Sequence, residues 1–503
     1  MDSGDLPSGD ELTLAPSAGA AASDSSLSSD SHGDVAFLES LGYKQVLQRR
    51  LGMFASFGVL FSIIGVTVSV YTLYGYGLTT AGPFFIWAFI IGGALQVVVG
   101  LSIAELVSAY PIAGGAYQIV NRIKQGVLAW QTGWLLLIAL VVSVSTNATA
   151  IASYFGSQVG WNNLTHWDTI AIAFVVILLI TIINIIGVRY SALVNNVGIT
   201  CEALGLGVIV VLLMAKGLIH PISFINNKGG TDTHGFLWPF LFAFLFPVYM
   251  INAFDSTGHT GEETVDAARK APRAAVTANT AAYLFALLAI IVVTLSISKL
   301  GPIQASSTPV TDIVAARLGS AFGTFLTVIV IVSFLVASQM LQLTGARIIW
   351  AQARDKKMPF PKLFSKIGSG HSPTIATIAA GILALLFCLF SSVLAVLAAM
   401  VALAFSVANV ITVGAGLWAK ARGRLPAHPW RYGRVGVLFD VISILWSAFI
   451  AVVLIKQSPG EVGKGFAYVV AAGLLIYYVG IPLQARWAKG SSAALTDASD
   501  ANA

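Results

Sequence analysis

The chain has 503 residues, of which 57% are hydrophobic and only 10% are charged, and its mean hydropathy is +0.83. Soluble domains carry about 25% charged residues, so this composition argues against a soluble enzyme and indicates a membrane protein. The formal net charge of +6 does not predict nucleic-acid binding, because the basic residues are distributed as a membrane topology requires.

The two ends of the chain have a different composition from its centre. Residues 1–40 contain eight acidic residues and no Lys or Arg, which predicts a disordered acidic tail and does not fit a signal peptide. The segment 38–50 is amphipathic and predicts a short helix along the inner membrane surface, with Arg49 and Arg50 facing lipid headgroups. Residues 487–503 form a second short polar tail.

Twelve apolar segments between the tails are long enough to cross a bilayer, which takes about 20 residues. If the N-terminus is cytoplasmic, 22 of the 28 Lys and Arg residues lie on the inner side. This asymmetry predicts twelve spans with both termini inside. The segments are 54–77, 84–108, 128–156, 169–187, 195–215, 236–258, 276–298, 320–350, 374–391, 393–418, 437–456 and 466–485.

Two of the spans are interrupted by residues that break helices. The first contains Gly65 and several hydroxyl residues, and the sixth contains Pro247, Asn252, Asp255 and Gly258. Broken helices survive in a bilayer only where protein or a cavity covers the break. Two interrupted spans at matching places in two halves indicate an inverted repeat with a central binding site. We therefore predict repeats over about 52–216 and 236–420, with two extra helices over about 437–485.

Five motifs, in order along residues 40 to 360, resemble the amino acid–polyamine–organocation superfamily, especially the amino acid/choline permeases that include fungal GABA permeases. They are LGYKQVLQRR, FSIIGVTVSVYTLYGYGLTTAGP, AELVSAYPIAGGAYQ (Ala104–Gln118), FDSTGHTGEETVDAARKAPRA (Phe254–Ala274) and TGARIIWAQARDKKMP (Thr344–Pro359). The resemblance implies an all-α polytopic, leucine-transporter-like fold of 12 transmembrane helices in a permease domain over 41–486.

The resemblance also implies where a substrate binds. Its carboxylate is expected on backbone amides of the first-span break, from Gly65 through Val66 and Thr67 to Ser69, where many relatives have Gly-Ser-Gly. Its amine is expected near the carbonyls of Tyr249 to Asn252. Tyr249 occupies the place of the bulky aromatic residue that closes over the substrate in such permeases.

Three other polar residues in the spans each allow two interpretations of their role. Asp255 either contacts a substrate ammonium or caps the second half of the sixth helix, and Asn147 either reaches the cavity or joins helices by hydrogen bonds. Glu202 is a candidate proton carrier, because desolvation disfavours a buried charged carboxylate; it is otherwise a neutral packing residue. The hydroxyls of Ser333 and Ser338 leave sodium coupling open.

Two further carboxylates lie at the inner ends of spans. We expect Glu105 to pair with Arg122 or with the basic inner surface. We expect Asp440 to pair with Arg434.

These features together predict a secondary transporter of an amino acid or related amine in the plasma membrane, working by alternating access and coupled to protons. The alternatives are an amino acid exchanger and a nutrient sensor that retains the fold. No catalytic residues, metal ligands or cofactors are expected, because the sequence has no nucleotide-binding loop or metal-ligand cluster. The expected partners are the substrate, the proton and the lipid bilayer.

Overall fold

In a computed structural model of the chain, the residues described are 53–112, 114–161, 163–186, 200–230, 235–252, 254–259, 264–368, 373–390 and 393–482. The predicted acidic tail, the surface helix over 38–50 and the C-terminal tail lie outside this part of the chain.

The described residues form α-helices joined by short 3₁₀ and π-helical turns. The helices are α1 (Met53–Ile64), α2 (Val66–Ala81), α3 (Phe85–Ala109), α4 (Gly115–Ile123), α5 (Val127–Val159), α6 (His166–Ile186), α7 (Ile209–Lys216), α8 (Leu237–Phe242), α9 (Leu245–Met250), α10 (Ser256–His259), α11 (Ala267–Leu295), α12 (Leu300–Gln304), α13 (Pro309–Leu318), α14 (Ser320–Arg354), α15 (Pro361–Phe364), α16 (Thr374–Phe390), α17 (Leu394–Ala421), α18 (Arg434–Gln457) and α19 (Lys464–Leu475).

The predicted all-α polytopic fold is confirmed. Eight helical segments of the described chain are long and apolar enough to cross a membrane, and Leu237–Met250 and Thr374–Phe390 are shorter apolar helices. Each of the twelve predicted apolar segments contains a described helix or helical turn. The boundaries of the two repeats and of the permease domain stay a prediction.

Helix α5 forms the centre of the bundle. Its most apolar window is completely buried, whereas only 28% of the corresponding window of α6 is buried. Helices α14 and α17 make extensive contacts with α5, and α3 packs against α11. The outward surface of α6 is apolar, with Phe174, Val175 and Leu178 exposed, as expected of a helix that meets lipid rather than water.

The two predicted helix breaks are both present and are five spans apart. The first span is divided at Gly65 into α1 and α2, and the sixth is divided into α9 and α10 by the segment Ile251 to Asp255. Helix α9 contacts α2, and α10 contacts α1. The packing therefore brings the two breaks together inside the protein.

Candidate functional site

The first-span break is a single residue in a left-handed conformation. Gly65 has φ 56° and ψ 67°, a region that costs a residue with a Cβ roughly 1–2 kcal/mol. Its N–H still donates to Phe61 O at 3.1 Å, so α1 is hydrogen-bonded up to the break. The chain then turns and begins α2 at Val66.

Among the described residues, the first backbone N–H groups of α2 have no hydrogen-bond partner. Its first internal hydrogen bond runs from Ser69 N to Gly65 O at 2.8 Å, so the N–H groups of Val66, Thr67 and Val68 precede the helical ladder. The Ser69 hydroxyl donates back across the break to Ile64 O at 3.2 Å. A helix N-terminus of this kind favours an anion such as a carboxylate.

The sixth-span break supplies carbonyl groups near this helix start. The Asn252 amide donates to Tyr249 O and, at 3.4 Å, to Val248 O. Gln96 of α3 donates to Ile251 O at 2.9 Å. Val248 O also accepts from Gln96 at 3.4 Å and so has two donors. Tyr249 O and Ile251 O each accept from one of these side chains, which leaves a second lone pair on each of these two carbonyls for a ligand.

Residues from both breaks line one small cavity of about 20 Å³. A cavity of this volume holds about one water molecule, so an amino acid enters only if the surrounding helices move apart. None of the described lining residues is charged. The lining consists of Ile63, Ile64, Gly65, Val68, Ser69, Ser143, Asn147, Tyr249, Asn252, Ala337 and Leu341.

Asn147 of α5 is the polar side chain in this cavity that the protein leaves unsatisfied. It is 1% exposed, and neither its Nδ2 nor its Oδ1 atom has a hydrogen-bond partner in the described structure. Buried amide groups normally have partners, so both atoms are available to a ligand. Ser143, one turn earlier, donates to Ala139 O at 2.9 Å and also faces the cavity.

Glu202 lies behind the first break rather than in the cavity lining. Its Oε1 atom is 3.5 Å from the place where a Cβ on Gly65 would stand, and its Oε2 atom has no hydrogen-bond partner among the described residues. The Thr67 hydroxyl donates to the Glu202 backbone carbonyl at 3.1 Å. A π-helical turn, Ala203–Val208, follows immediately, and such turns are frequent at functional sites.

Asp255 connects the sixth-span break to the loop helix α4. Its Oδ2 atom accepts a hydrogen bond from Ala116 N at 2.9 Å, within the first turn of α4. It immediately precedes α10, as predicted for a capping residue, but its carboxylate reaches the N-terminus of another helix. Asp255 is buried and does not line the cavity.

Glu105 and Asp440 form a buried cluster around one lysine. Lys420 Nζ lies 2.9 Å from Glu105 Oε2 and 2.7 Å from Asp440 Oδ2. The prediction that Asp440 pairs with Arg434 is wrong, because the lysine at the end of α17 lies between α3 and α18 and reaches both acids. Glu105 also lies 3.6 Å from His428 Nε2.

The structure therefore gathers five of the predicted site residues around one cavity: Gly65, Ser69, Asn147, Tyr249 and Asn252. Val66 and Thr67 stand just beside it, at the start of α2. Gln96 and Ser143 were not predicted. Gln96 stands alone among apolar residues, and that isolation was a signal in the sequence. Ser143 begins a polar run that continues to Thr149, so nothing in the sequence distinguishes it from its neighbours.

Paired broken helices around a buried polar cavity, inside a bundle of apolar helices, define this protein as a multi-pass membrane transporter. The profile of the family described as amino acid permease matches residues 51–481, and the chain belongs to that family. Its members have the twelve-helix, leucine-transporter-like fold that the sequence motifs predict.

Curated relatives agree with this assignment across most of the chain. An uncharacterized amino-acid permease of Schizosaccharomyces pombe is 28% identical, covering 87% of this chain and 85% of the relative. Amino-acid permease 2 of Neurospora crassa is 29% identical, covering 87% and 84%. Amino-acid permease BAT1 of Arabidopsis thaliana is 24% identical, covering 82% and 87%.

Proposed function

We propose that this permease moves a zwitterionic amino acid with an uncharged side chain across the plasma membrane by alternating access, coupled to protons. The observation that supports it most is the cavity between the two breaks. There a helix N-terminus with free amides faces carbonyls of the second break, while Asn147 offers an unpartnered amide. A carboxylate suits the amides, and an ammonium suits the carbonyls.

The charge of the lining supports the choice of substrate class. Polyamines carry several positive charges, and buried charges need partners of opposite sign. The described lining has no carboxylate, since Asp255 contacts α4 and Glu202 lies behind Gly65. A zwitterion needs no such partner, because it brings both charges and meets opposite backbone dipoles at its two ends.

The position of Glu202 supports proton coupling. Ionisable groups inside a membrane protein are costly and commonly mark ion paths and proton relays. Glu202 is 3% exposed, has one unpaired oxygen and adjoins the residue at which the first span bends. A proton on this carboxylate is therefore placed to influence the same helix break that binds the substrate carboxylate.

The distribution of basic residues supports the orientation. With both termini in the cytoplasm, 22 of 28 Lys and Arg residues lie on the inner side, as expected for a membrane protein that follows the positive-inside rule.

The test is uptake of labelled neutral amino acids by purified protein in vesicles, with an imposed pH gradient and no sodium. We expect uptake into wild-type vesicles to follow the pH gradient and Glu202→Gln to lose that dependence. Glu461→Gln, a change at an exposed carboxylate outside the cavity, is the matched control and should behave as wild type.

Each other outcome points to a different mechanism. Uptake that needs sodium and ignores the pH gradient contradicts proton coupling. Uptake that occurs only into vesicles preloaded with amino acid makes the protein an exchanger. Efficient competition by putrescine or choline, without competition by neutral amino acids, contradicts the proposed substrate class.

A further inference from the structure

A second cavity lies on the lateral surface of the helical bundle. The residues that line it are distant in sequence from the two helix breaks. It has a volume of about 290 Å³ and runs between the α4–α5 segment and the last turns of α17. This is close to the lower end of the range of ligand-binding pockets, about 300–1,000 Å³. One wall carries Ile123, Lys124 and Leu128, and the other carries Ile411, Gly414 and Trp418.

Most of this groove is apolar and open. Leu128 is 45% exposed, and a Cβ added to Gly414 would meet no atom within 4 Å. Gly414 therefore leaves free space along the wall formed by α17. Because α5 and α17 are both long and apolar enough to cross a membrane, we expect the apolar walls of the groove to face the bilayer.

One end of the groove is strongly basic. Lys124 lines it directly, and the guanidinium groups of Arg422 and Arg424 lie 4.7 Å and 5.3 Å from the centre of the Trp418 ring. Lys124, Arg422 and Arg424 are exposed. Within the described chain, no carboxylate forms an ion pair with any of the three. The nearby Lys420 differs, since Glu105 and Asp440 neutralise it.

We infer that this groove binds an anionic phospholipid, with an acyl chain along the apolar walls and the phosphate among Lys124, Arg422 and Arg424. The charge complementarity selects the headgroup, and the groove selects a molecule with a hydrocarbon tail. Basic pockets between transmembrane helices bind lipid headgroups in this way. The site is independent of the substrate cavity and of the proposed transport function.

The position of Trp418 makes the site measurable, because bromine atoms on an acyl chain quench the fluorescence of a tryptophan that they contact. The full-length protein is reconstituted in phosphatidylcholine vesicles containing either dibrominated phosphatidylglycerol or dibrominated phosphatidylcholine. The chain has 11 tryptophans, so the Trp418 contribution is obtained by subtracting the signal of Trp418→Phe.

We expect brominated phosphatidylglycerol to bind at Trp418 at least about fivefold more strongly than brominated phosphatidylcholine. A basic residue near an anionic headgroup contributes about 1 kcal/mol, which is about fivefold in affinity. Removing the charges with Lys124→Gln, Arg422→Gln and Arg424→Gln together should abolish the preference. Gly414→Leu, which fills the groove, should reduce quenching by both lipids.

Two controls keep the result interpretable. Lys362→Gln with Lys366→Gln removes two basic charges near α15, whose contacts are with α14 and α16, and should leave the preference intact. In the unaltered protein, added salt should weaken the preference, because it screens charges over about 10 Å at 0.1 M.

Three outcomes would overturn the inference. The first is equal quenching of wild-type Trp418 by the two lipids. The second is a preference that survives both the triple variant and high salt. The third is displacement of brominated phosphatidylglycerol by soluble glycerol phosphate, which would make this a phosphate site with no role for the groove.

Discussion

Gly65 shows how one residue creates the break that borders the proposed substrate site. Its backbone occupies a left-handed conformation at φ 56°. A Cβ at this position would stand 3.2 Å from Val68 Cβ and 3.5 Å from Glu202 Oε1. The missing side chain thus permits the helix break and also leaves room for the carboxylate behind it.

Gly65→Ala should therefore impair both folding and transport. The left-handed backbone costs a residue with a Cβ about 1–2 kcal/mol, and the new methyl group crowds Val68. We expect a lower melting temperature and strongly reduced uptake in vesicles. The control is Gly301→Ala, since Gly301 has open space around it. Uptake by Gly65→Ala at the wild-type rate would contradict this role of the break.

The sequence predicts some site residues much better than others. Gly65 and Asn252 could be found because glycine and asparagine inside an apolar run conflict with a continuous helix. Gln96 could not be assigned, since its contact with Ile251 O joins residues 155 positions apart. The ion pairs of Lys420 with Glu105 and Asp440 were not predicted, for the same reason. Contacts between helices that are distant in the chain depend on how those helices pack. No local pattern in a single sequence reveals that packing.

At the scale of elements, α4 is held against the bundle by two carboxylates. Asp255 accepts from Ala116 N at 2.9 Å. Asp355, just after α14, accepts from Tyr117 Oη at 3.1 Å and Gln118 Nε2 at 2.8 Å. Helix α4 thus connects the end of the sixth-span break to the end of α14.

Asp355→Ala should loosen this attachment of α4. It removes two hydrogen bonds to a charged acceptor, each worth about 1.5–3 kcal/mol. We expect faster hydrogen–deuterium exchange in peptides that cover α4, with little change elsewhere. Asp168→Ala serves as the control, because Asp168 bonds only locally, to the exposed Thr165 just before α6. Unchanged exchange in α4 would show that Asp355 does not restrain this helix.

The Lys420 cluster links α3, α17 and α18. Replacing Lys420 with Met leaves Glu105 and Asp440 buried without their shared cation. Breaking a buried ion pair in this manner typically destabilises a protein by about 3–5 kcal/mol. We expect a large drop in thermal stability for Lys420→Met, largely recovered when Glu105→Gln and Asp440→Asn are added. A triple variant no more stable than Lys420→Met would contradict this account of the cluster.

At the scale of the whole molecule, the structure is closed around the central cavity. Beyond the cavity along α2, Tyr154 donates to Tyr71 O at 2.8 Å and packs against the Tyr71 and Phe334 rings. On the opposite side of the central cavity, α10 packs against α4, and Gly258 lies close to Gly115. A cavity of about 20 Å³ lies between these two layers. The proposed mechanism of alternating access requires such packing on both sides of a central site, since the site is exposed to each side in turn.

The central claim is that this cavity binds the transported amino acid, and Asn147→Leu tests it through ligand-induced stabilisation. The Asn147 side chain makes no hydrogen bond within the described structure, and an unpaired buried amide costs about 1–3 kcal/mol. The variant should therefore be at least as stable as wild type without substrate. In Asn184→Leu, the control, the lost bonds to Gln339 and Gln342 should lower stability but leave substrate binding intact.

The decisive measurement is the melting temperature of each purified protein with and without a saturating neutral amino acid. A ligand that binds only the folded protein raises the melting temperature, by an amount set by its concentration relative to Kd. We predict a rise for wild type and for Asn184→Leu, and none for Asn147→Leu. An equal rise in all three proteins would show that the amino acid binds elsewhere and would contradict the account.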